Sequence, residues 1–394
     1  MINKSDIKFK MVAKTFWGLE EVLAHELSTL GISNLKVANR AVFFEGNLNT
    51  LYRANLWCRT ALKILCSVHH FRAKDEHELY KGVQEVNWAD FLDLSETFSV
   101  DSVVNSEEFN HSHYVALKTK DAVVDQFREK FGRRPSVNLN DPTVKLHIHI
   151  NRNDCNILID SSGDPLYKRG YRKSTGRAPL NEVLAAGLIA LSGWKGDGHF
   201  VDPMCGSGTL LCEAGLFACR IAPGSIRESF GFMRWPNYNE KLWEQLKKEA
   251  KLLQKDTPYK FIGSDISGSV LESAFENIEN AGLDEYVSLS KKSFEAKTPP
   301  APKDNSIVMV NPPYGERLQI DDIIGLYKRF GDTLKQHYNG YEAWILSGNK
   351  EAISKVGLRT SKKMTVFNGS IECKFHGYQL FKGGWKENID YKAK

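Results

Sequence analysis

The 394-residue sequence has no uninterrupted apolar segment long enough to cross a membrane. Its longest apolar run, residues 183–191, contains nine residues, whereas a transmembrane helix needs about 20. The first ten residues are polar and lack the apolar stretch of a secretory signal. These absences exclude a helical membrane span and predict a cytoplasmic protein.

The seven cysteines are an odd number, lie far apart and form no Cys-x-x-Cys pair. This spacing disfavours a disulfide framework and a zinc ribbon. Two histidine pairs, His111 with His113 and His147 with His149, have no carboxylate or cysteine at the spacing of a zinc site. We therefore expect reduced thiols, solvent-facing histidines and no metal.

Charge is nearly balanced, because 53 Lys and Arg residues face 48 Asp and Glu residues, a formal net charge of +5. With 42% hydrophobic and 26% charged residues, the composition is that of a globular protein and excludes a largely disordered one. A small positive charge is compatible with an anionic partner but does not require one. The distribution of the basic residues is therefore more informative than their total.

Changes in pattern divide the chain into four segments. Residues 1–60 read as strand, helix, strand and helix, and residues 61–163 continue with strands and helices, so each predicts an α+β domain. Residues 164–181 form a connector that contains glycine and proline. Residues 182–390 alternate apolar strands with helical segments, which predicts an α/β fold with a doubly wound parallel sheet.

The element bounds follow from the same patterns. In the N-terminal half we expect strands at 8–13, 41–45, 144–150 and 155–160, and helices at 19–30, 48–57 and 121–131. In the C-terminal segment we expect a helix at 182–191 and strands at 199–202, 261–265, 287–289, 307–310 and 343–346. Strands at 362–367 and 374–381 flank Asn368-Gly369-Ser370, a hairpin signal, so the sheet should end in an antiparallel edge pair.

The first strand of the C-terminal segment runs into a glycine turn and then a helix. Its sequence is Asp202-Pro203-Met204-Cys205-Gly206-Ser207-Gly208-Thr209. Open α/β sheets bind ligands at the carboxyl ends of their strands, where Asp202 is an acceptor and the glycines let the backbone approach a ligand. The turn is not a P-loop, because the Gly-Lys-Ser or Gly-Lys-Thr that ends a P-loop is missing. It is not a full dinucleotide-binding fingerprint either, because the third glycine of that motif is missing. Asp265 ends the next strand, where such folds hydrogen-bond ribose hydroxyls. On these patterns alone, a structural turn and a solvated aspartate stay open as alternatives.

The sharpest signal is Asn311-Pro312-Pro313-Tyr314, at the end of the fourth strand. The prolines have a fixed φ and no N–H, so they predict a rigid turn that holds a carbonyl outward. Asn311 and the Pro312 carbonyl can accept hydrogen bonds, and Tyr314 offers a flat ring. This set suits a planar exocyclic amine, whose hydrogens meet two acceptors while its nitrogen lone pair points at an electrophile.

The distribution of charge predicts a nucleic-acid-binding surface, called here the basic footprint. The connector carries five basic residues and no acidic one between 165 and 179, namely Lys168, Arg169, Arg172, Lys173 and Arg177. Tyr167 and Tyr171 are interleaved with them, a pattern typical of nucleic-acid contacts. Arg133 and Arg134, after the helix at 121–131, complete the footprint. An ordinary run of surface charge is the alternative.

Two of these motifs carry a resemblance to a known family. Residues 202–209 and 311–314 resemble motifs I and IV of class I S-adenosylmethionine-dependent amino-methyltransferases. Residues 168–182 resemble the entry to the catalytic domain of THUMP-containing RNA methyltransferases, and residues 15–23 are similar to the ferredoxin-like domain of the same group. The resemblance covers nearly the whole chain and points to the large-subunit ribosomal RNA guanine-N2 methyltransferases.

The resemblance implies residue roles. Asp202, Gly206 and Gly208 would hold the methionine end of the cofactor, Asp265 its ribose and Ile266 its adenine. The full implied set of cofactor contacts is Asp202, Pro203, Cys205, Gly206, Ser207, Gly208, Thr209, Asp265, Ile266, Ser293, Phe294 and Asn311. Ser293 aligns with an aspartate that many members place after the third strand to read the adenine amine, so Ser293 or the Phe294 backbone would substitute. Asn311, Pro312, Pro313 and Tyr314 would be catalytic, and Cys205 would pack rather than act as a nucleophile.

The same resemblance implies a ferredoxin-like domain at 1–60, a THUMP RNA-binding domain at 61–163, a basic linker at 164–181 and a Rossmann-like methyltransferase domain at 182–390. The expected reaction is metal-free methylation of guanine N2 in 23S ribosomal RNA. The target base would be unpaired or flipped, because a paired base does not reach such a pocket. The alternatives are N6-adenine methylation of DNA, guanine-N2 methylation of transfer RNA, and a catalytically silent RNA-binding assembly factor.

Overall fold

The structure of the protein is a computed structural model that describes residues 8–172, 179–296, 298–313 and 322–381. The chain divides into two compact units. The first contains the described residues up to 15 together with 23–166 and 227–248. The second contains 16–22, 167–226 and the described residues from 249 onward.

An eight-stranded mixed sheet forms the first unit, in the order β2-β3-β1-β4-β8-β7-β5-β6. Its strands are β1 (Phe9–Lys14), β2 (Lys36–Ala38), β3 (Ala41–Gly46), β4 (Lys63–Arg72), β5 (Thr97–Asn105), β6 (Ser136–Val137), β7 (Val144–Asn151) and β8 (Asp154–Asp160). The helices of this part of the chain are α1 (Glu20–Thr29), α2 (Leu48–Trp57), α3 (Glu76–Gln84) and α4 (Ser112–Phe131).

Strand β4 connects the two modules expected in this half of the chain. It pairs antiparallel with β1 on one side and with β8 on the other. The strands of both modules therefore belong to one continuous sheet, and the boundary placed between residues 60 and 61 stays a prediction.

Helices α2 and α4 show how far local pattern determines an element. Helix α2 has the predicted bounds, and the Asn47 side chain caps it by accepting a hydrogen bond from the Thr50 N–H at 3.2 Å. Helix α4 ends at Phe131 as predicted, with Gly132 in the left-handed conformation at φ 68°. It begins at Ser112 and not at 121, because its first turns bury few residues and so carry a weak apolar period.

One predicted strand face differs from expectation. The apolar residues of β7 are buried as their alternation predicts, but His147 is not turned to solvent. Its Nε2 lies 3.5 Å from the fully buried carboxylate of Asp160, which also accepts a hydrogen bond from Lys63 Nζ at 2.6 Å. Burial alone would raise the pKa of Asp160, but His147 and Lys63 outweigh it and hold the pKa below its usual range.

Residues 227–248 pack with the first unit although they follow the glycine turn in the chain. The Tyr52 ring of α2 stacks on Phe232 at 4.4 Å and meets Trp243 edge-on at 5.9 Å. The Tyr52 hydroxyl accepts a hydrogen bond from the Asn239 N–H at 2.9 Å. A cluster of aromatic side chains therefore connects residues 227–248 to α2.

A seven-stranded sheet forms the second unit, in the order β11-β10-β9-β12-β13-β15-β14. Its strands are β9 (Phe200–Asp202), β10 (Phe261–Asp265), β11 (Val287–Lys291), β12 (Ile307–Val310), β13 (Glu342–Ser347), β14 (Thr360–Asn368) and β15 (Ile371–Gln379). Its helices are α5 (Glu182–Ser192), α6 (Thr209–Ala218), α8 (Gly268–Asn280), α9 (Ile323–His337) and α10 (Lys350–Ser354). Helix α7 (Glu240–Leu252) lies mostly in the first unit, which includes residues 227–248.

The strand directions confirm the predicted doubly wound sheet with a terminal hairpin. The five neighbouring strands β11, β10, β9, β12 and β13 pair in parallel. Strand β15 pairs antiparallel with both β13 and β14. The chain runs from β9 outward to β11 and then crosses to β12, so the order reverses between β9 and β12. Such a switch point opens a crevice at the carboxyl ends of the strands. Across the described ranges, no helix is both long and apolar enough to traverse a bilayer.

Candidate active site

The glycine turn lies at the carboxyl end of β9, beside the switch point. Gly206 and Gly208 have φ values of 53° and 80°, the left-handed region in which glycine is unstrained. The turn is closed by hydrogen bonds from the Cys205 N–H to the Ser264 carbonyl at 3.0 Å and from the Gly208 N–H to the Cys205 carbonyl at 2.8 Å. A Cβ built on Gly206 would meet nothing within 4 Å, so the turn faces open space.

Asp202 ends β9 as a buried carboxyl group with 2% exposure. Its Oδ1 accepts a hydrogen bond from the Met204 N–H at 3.2 Å. Burial raises the pKa of Asp202 to about 8, against the effect of that hydrogen bond and with a further contribution from Asp265. A buried carboxyl group with a raised pKa suits a ligand that brings a hydrogen-bond donor or a positive charge.

Asp265 lies one strand away from Asp202. Because Gly263 is paired with Asp202, Asp265 extends two residues further along the same edge of the sheet. Its Oδ2 accepts the Gly206 N–H and its Oδ1 accepts the Ser267 N–H, both at 3.0 Å. These bonds connect the glycine turn to β10 and hold the Asp265 carboxylate at the carboxyl end of the strand, where open α/β sheets bind their ligands. Ile266, the next residue, exposes 71% of its surface.

Asn311 and its prolines follow β12 at the same edge. Val308 of β12 pairs with Val201 of β9, so Asn311 lies just beyond the level of Asp202. Asn311 and Pro313 are half-buried, and Pro312 is buried. The sheet thus brings the ends of β9, β10 and β12 together, as the sequence predicts. Tyr314 lies outside the described residues.

The segment after β11 offers fewer polar groups. The Ser293 hydroxyl accepts a hydrogen bond from the Ala296 N–H at 3.3 Å. The Phe294 side chain is buried and packs against Phe330 with ring centroids 5.2 Å apart. Of Phe294, only the backbone is therefore suited to a ligand contact.

Cys205 and Pro203 support the turn from within. Cys205 is 6% exposed, and its sulfur packs against the backbone of β10 at Gly263. A Cβ at Gly263 would lie only 3.1 Å from that sulfur. Burial raises the pKa of the Cys205 thiol, so it stays protonated. The Pro203 carbonyl accepts a hydrogen bond from the Ser264 hydroxyl at 3.3 Å. The Cys205 side chain is thus buried beneath the turn, and the Pro203 carbonyl connects the turn to β10.

The predicted basic footprint requires a correction at two positions. Arg169 is 2% exposed and donates to both carboxylate oxygens of Glu213 on α6, at 3.3 and 3.4 Å. The Arg172 side chain is 10% exposed and forms an ion pair with Glu182 at 2.7 Å. Their inclusion in a surface footprint is wrong, because buried carboxylates neutralise both guanidinium groups. Arg133, Arg134 and Lys168 are exposed, and Lys173 and Arg177 lie outside the described residues.

Sequence reasoning missed the carboxylates and the amide that hold this region. Glu213 also accepts a hydrogen bond from the Tyr171 hydroxyl at 3.1 Å. Burial raises the pKa of Glu182, although Arg172 opposes the rise. Asn277 on α8 donates through Nδ2 to the Ser207 carbonyl at 3.0 Å. The available signal was the single glutamate in each of two largely apolar helices, Glu182 at the start of α5 and Glu213 within α6.

Other chemistry-bearing clusters are few. The residues that the structure describes include no group of three or more His, Cys, Asp and Glu that could hold a metal ion. All seven cysteines are buried as free thiols.

The strand order, the glycine turn after β9 and the acidic end of β10 together define a Rossmann-like methyltransferase fold. Family models agree: residues 169–376 match the RMKL-like methyltransferase domain, residues 73–160 the THUMP domain and residues 10–65 the RlmL ferredoxin-like domain. The chain belongs to the RMKL-like methyltransferase family. The predicted fold class and family resemblance are confirmed.

Individual relatives extend over most of the chain. A protein of Synechocystis sp. named an RNA methyltransferase is 37% identical over 92% of this chain and 95% of its own length. A ribosomal RNA large subunit methyltransferase K/L of Psychromonas ingrahamii is 38% identical over 92% of this chain, which spans only 49% of that protein. The crystal structure of SMU.472, described as a methyltransferase complexed with SAH, has a TM-score of 0.85 at 32% identity and covers 96% of this chain and 99% of its own.

Proposed function

We propose that this protein methylates an exocyclic amine of a base in RNA, namely the N2 amine of a guanine in large-subunit (23S) ribosomal RNA. The observation that carries the proposal is the position of Asn311 and Pro312, at the strand end next to the buried Asp202 and the glycine turn. The large subunit methyltransferase K/L relatives support ribosomal RNA as the substrate class.

S-adenosylmethionine is the cofactor, and it supplies an electrophilic methyl group on a sulfonium. In support, a structure similar to this chain over 96% of its length is described as complexed with SAH. Asp202 would bind the amino group of the methionine moiety, Asp265 the ribose hydroxyls, and Gly206 would leave room for the ligand. Ile266 would cover the adenine, and Ser293 or the Phe294 backbone would contact its amine.

Asn311 and Pro312 would orient the acceptor amine. The Asn311 side-chain oxygen and the Pro312 carbonyl would accept its two hydrogens, which leaves the nitrogen lone pair free to point at the methyl group of the cofactor. A nitrogen–carbon bond forms as the carbon–sulfur bond breaks, and one proton leaves the nitrogen for solvent. Because the sulfonium is a strong electrophile, the site needs orientation more than a strong base. Pro313 stiffens the turn, and Tyr314 would stack on the base.

The N-terminal modules would supply RNA recognition. A THUMP domain and a ferredoxin-like domain precede the catalytic segment in sequence. Structured RNA is read through its shape, phosphates and splayed bases, which suits a docking module separate from the catalytic crevice. The proposed footprint consists of Arg133, Arg134 and Lys168, which are exposed, together with Lys173 and Arg177, which lie outside the described residues.

The test is methyl transfer from labelled S-adenosylmethionine to ribosomal RNA from cells that lack the protein, followed by mass spectrometry of the nucleosides. We expect N2-methylguanosine, and we expect Asn311→Ala to lower the transfer rate at least about 100-fold, because one lost orienting group typically costs that much. Asn311→Ala should still bind SAH, although more weakly than the wild type, because Asn311 also belongs to the implied cofactor contacts. Asn339→Ala is the matched control, since Asn339 lies in the turn before β13, at the opposite edge of the sheet.

The other outcomes identify the alternatives. N6-methyladenine in DNA, or N2-methylguanosine confined to transfer RNA, would replace the substrate named above. Full activity of Asn311→Ala would refute the catalytic role of the turn. Failure to bind SAH, together with retained RNA binding, would favour an assembly factor.

A further inference from the structure

Arg172 contacts the glycine turn through both of its terminal nitrogens. Nη1 donates to the Ser207 hydroxyl at 3.2 Å, and Nη2 donates to the Thr209 hydroxyl at 2.7 Å. Nη2 also donates to the Leu180 carbonyl at 3.3 Å, and Nε donates to Glu182 at 2.7 Å. The planar guanidinium thus links the turn to the start of α5, a geometry that the single ammonium of lysine does not reproduce.

The charge of Arg172 is unusual for its location. Thr209 is the first residue of α6, where the helix dipole disfavours a cation. Glu182, which is 5% exposed, neutralises that cation and is itself the first residue of α5. One ion pair therefore joins two helix N-termini. Of the three other hydrogen bonds that Arg172 donates, two end on Ser207 and Thr209 and one on the Leu180 carbonyl.

The turn is also held from its other sides. Asn277 of α8 donates to the Ser207 carbonyl at 3.0 Å, and the Asp265 carboxylate accepts the Gly206 N–H at 3.0 Å. A Cβ on Gly208 would lie 3.3 Å from the Ala274 Cβ, so α8 packs closely there. The Arg172 fork is the part of this support that reaches the side chains of Ser207 and Thr209.

We propose that Arg172 is a positioning residue, which sets the conformation of the glycine turn for the cofactor through Ser207 and Thr209. Holding the turn in its binding geometry before the ligand arrives removes an ordering cost from binding. The proposal rests on the methyltransferase function of this site and not on the identity of the methylated base.

The test measures SAH affinity by titration calorimetry without RNA. We expect Arg172→Lys to weaken SAH binding about tenfold, the loss typical of a charge-assisted hydrogen bond. Arg169→Lys is the matched control, because it alters a neighbouring and more deeply buried arginine that donates to Glu213 on α6. Both variants should lower the melting temperature, but Arg169→Lys should leave SAH affinity within about twofold. Equal affinity losses in the two variants would overturn the proposal, because general destabilisation would then explain both.

A double-mutant cycle separates positioning from direct ligand contact. Thr209→Val and Ser207→Ala remove the two hydroxyl acceptors and keep the Arg172–Glu182 pair, so they can be measured even if Arg172→Lys folds poorly. If Arg172 acts through these hydroxyls, their loss should weaken SAH binding much less in the Arg172→Lys background than in the wild type. If Arg172→Lys does not fold, the hydroxyl variants alone should weaken binding about tenfold. Additive effects, or unchanged affinity in the hydroxyl variants, would refute the proposal. Failure to methylate RNA would contradict the proposed substrate and leave these measurements unaffected.

Discussion

Replacing Asp202 with Asn should stabilise the ligand-free protein, and the gain should grow as the pH rises. Asp202 is 2% exposed, and burial raises its pKa from the ordinary 3.8 to about 8. Between these two values the folded chain keeps a proton that the unfolded chain releases, so the free energy of unfolding falls by about 1.4 kcal/mol for each pH unit. Below the window both states are protonated, and above it both are ionised.

The size of the effect follows from the width of that window. At pH 7 the accumulated penalty of Asp202 is on the order of 4 kcal/mol, while at pH 4 it is near zero. Asn carries no charge and keeps an oxygen that can accept the Met204 N–H, so it removes the penalty and preserves the hydrogen bond. The wild type and Asp202→Asn should therefore have similar stability at pH 4, and the variant should be more stable at pH 7 and 8.

Urea unfolding at pH 4, 5, 6, 7 and 8, at constant ionic strength and without ligand, measures this difference. The same series with saturating SAH serves as the functional control, because the wild type should be stabilised more than the variant if Asp202 holds the methionine end. A stability difference that is constant from pH 4 to pH 8 would refute the reasoning. So would a wild type that becomes more stable than the variant as the pH rises.

The remaining predictions concern the first unit. Charge reversal of both Arg133 and Arg134 should weaken RNA binding and reduce the slope of log affinity against log salt by roughly 1.4 to 1.8, since each of two lost phosphate contacts contributes about 0.7 to 0.9. Lys335→Glu on the exposed face of α9 is the control, and an unchanged slope would remove the arginine pair from the footprint. Arg227→Lys should cost about 2 to 3 kcal/mol in urea unfolding, because the guanidinium donates to the carbonyls of Pro165, Ser162 and Asp164 at 2.9 to 3.2 Å. A loss of stability below about 0.5 kcal/mol, as for an ordinary surface substitution, would contradict the stabilising role of these three hydrogen bonds.

Local pattern was sufficient for the elements whose causes are local. The Asn47 cap and the apolar period of 48–57 specify α2, and the Asn368-Gly369 turn specifies the hairpin of β14 and β15. The convergence of Asp202, Asp265 and Asn311 was also accessible, because parallel strands of a doubly wound sheet end at one edge. The position of β15 between β13 and β14 was not specified, because a hairpin pattern does not state which strand joins the sheet.

The sequence by itself determined the fold class, the elements with strong local patterns, the methyltransferase motifs and the strand ends that form the candidate site. Only the tertiary structure decided the fate of Arg169 and Arg172, which look like a surface cluster in the linear sequence. Arg169 pairs with Glu213 and Arg172 pairs with Glu182, and these ion pairs allow the guanidinium groups to lie away from solvent. Each glutamate belongs to a helix whose packing no local sequence pattern specifies. A charged side chain can be buried only if folding brings a partner within hydrogen-bond distance, and that partner can be distant in sequence. Whether a run of basic residues is exposed or buried is therefore decided by the tertiary structure.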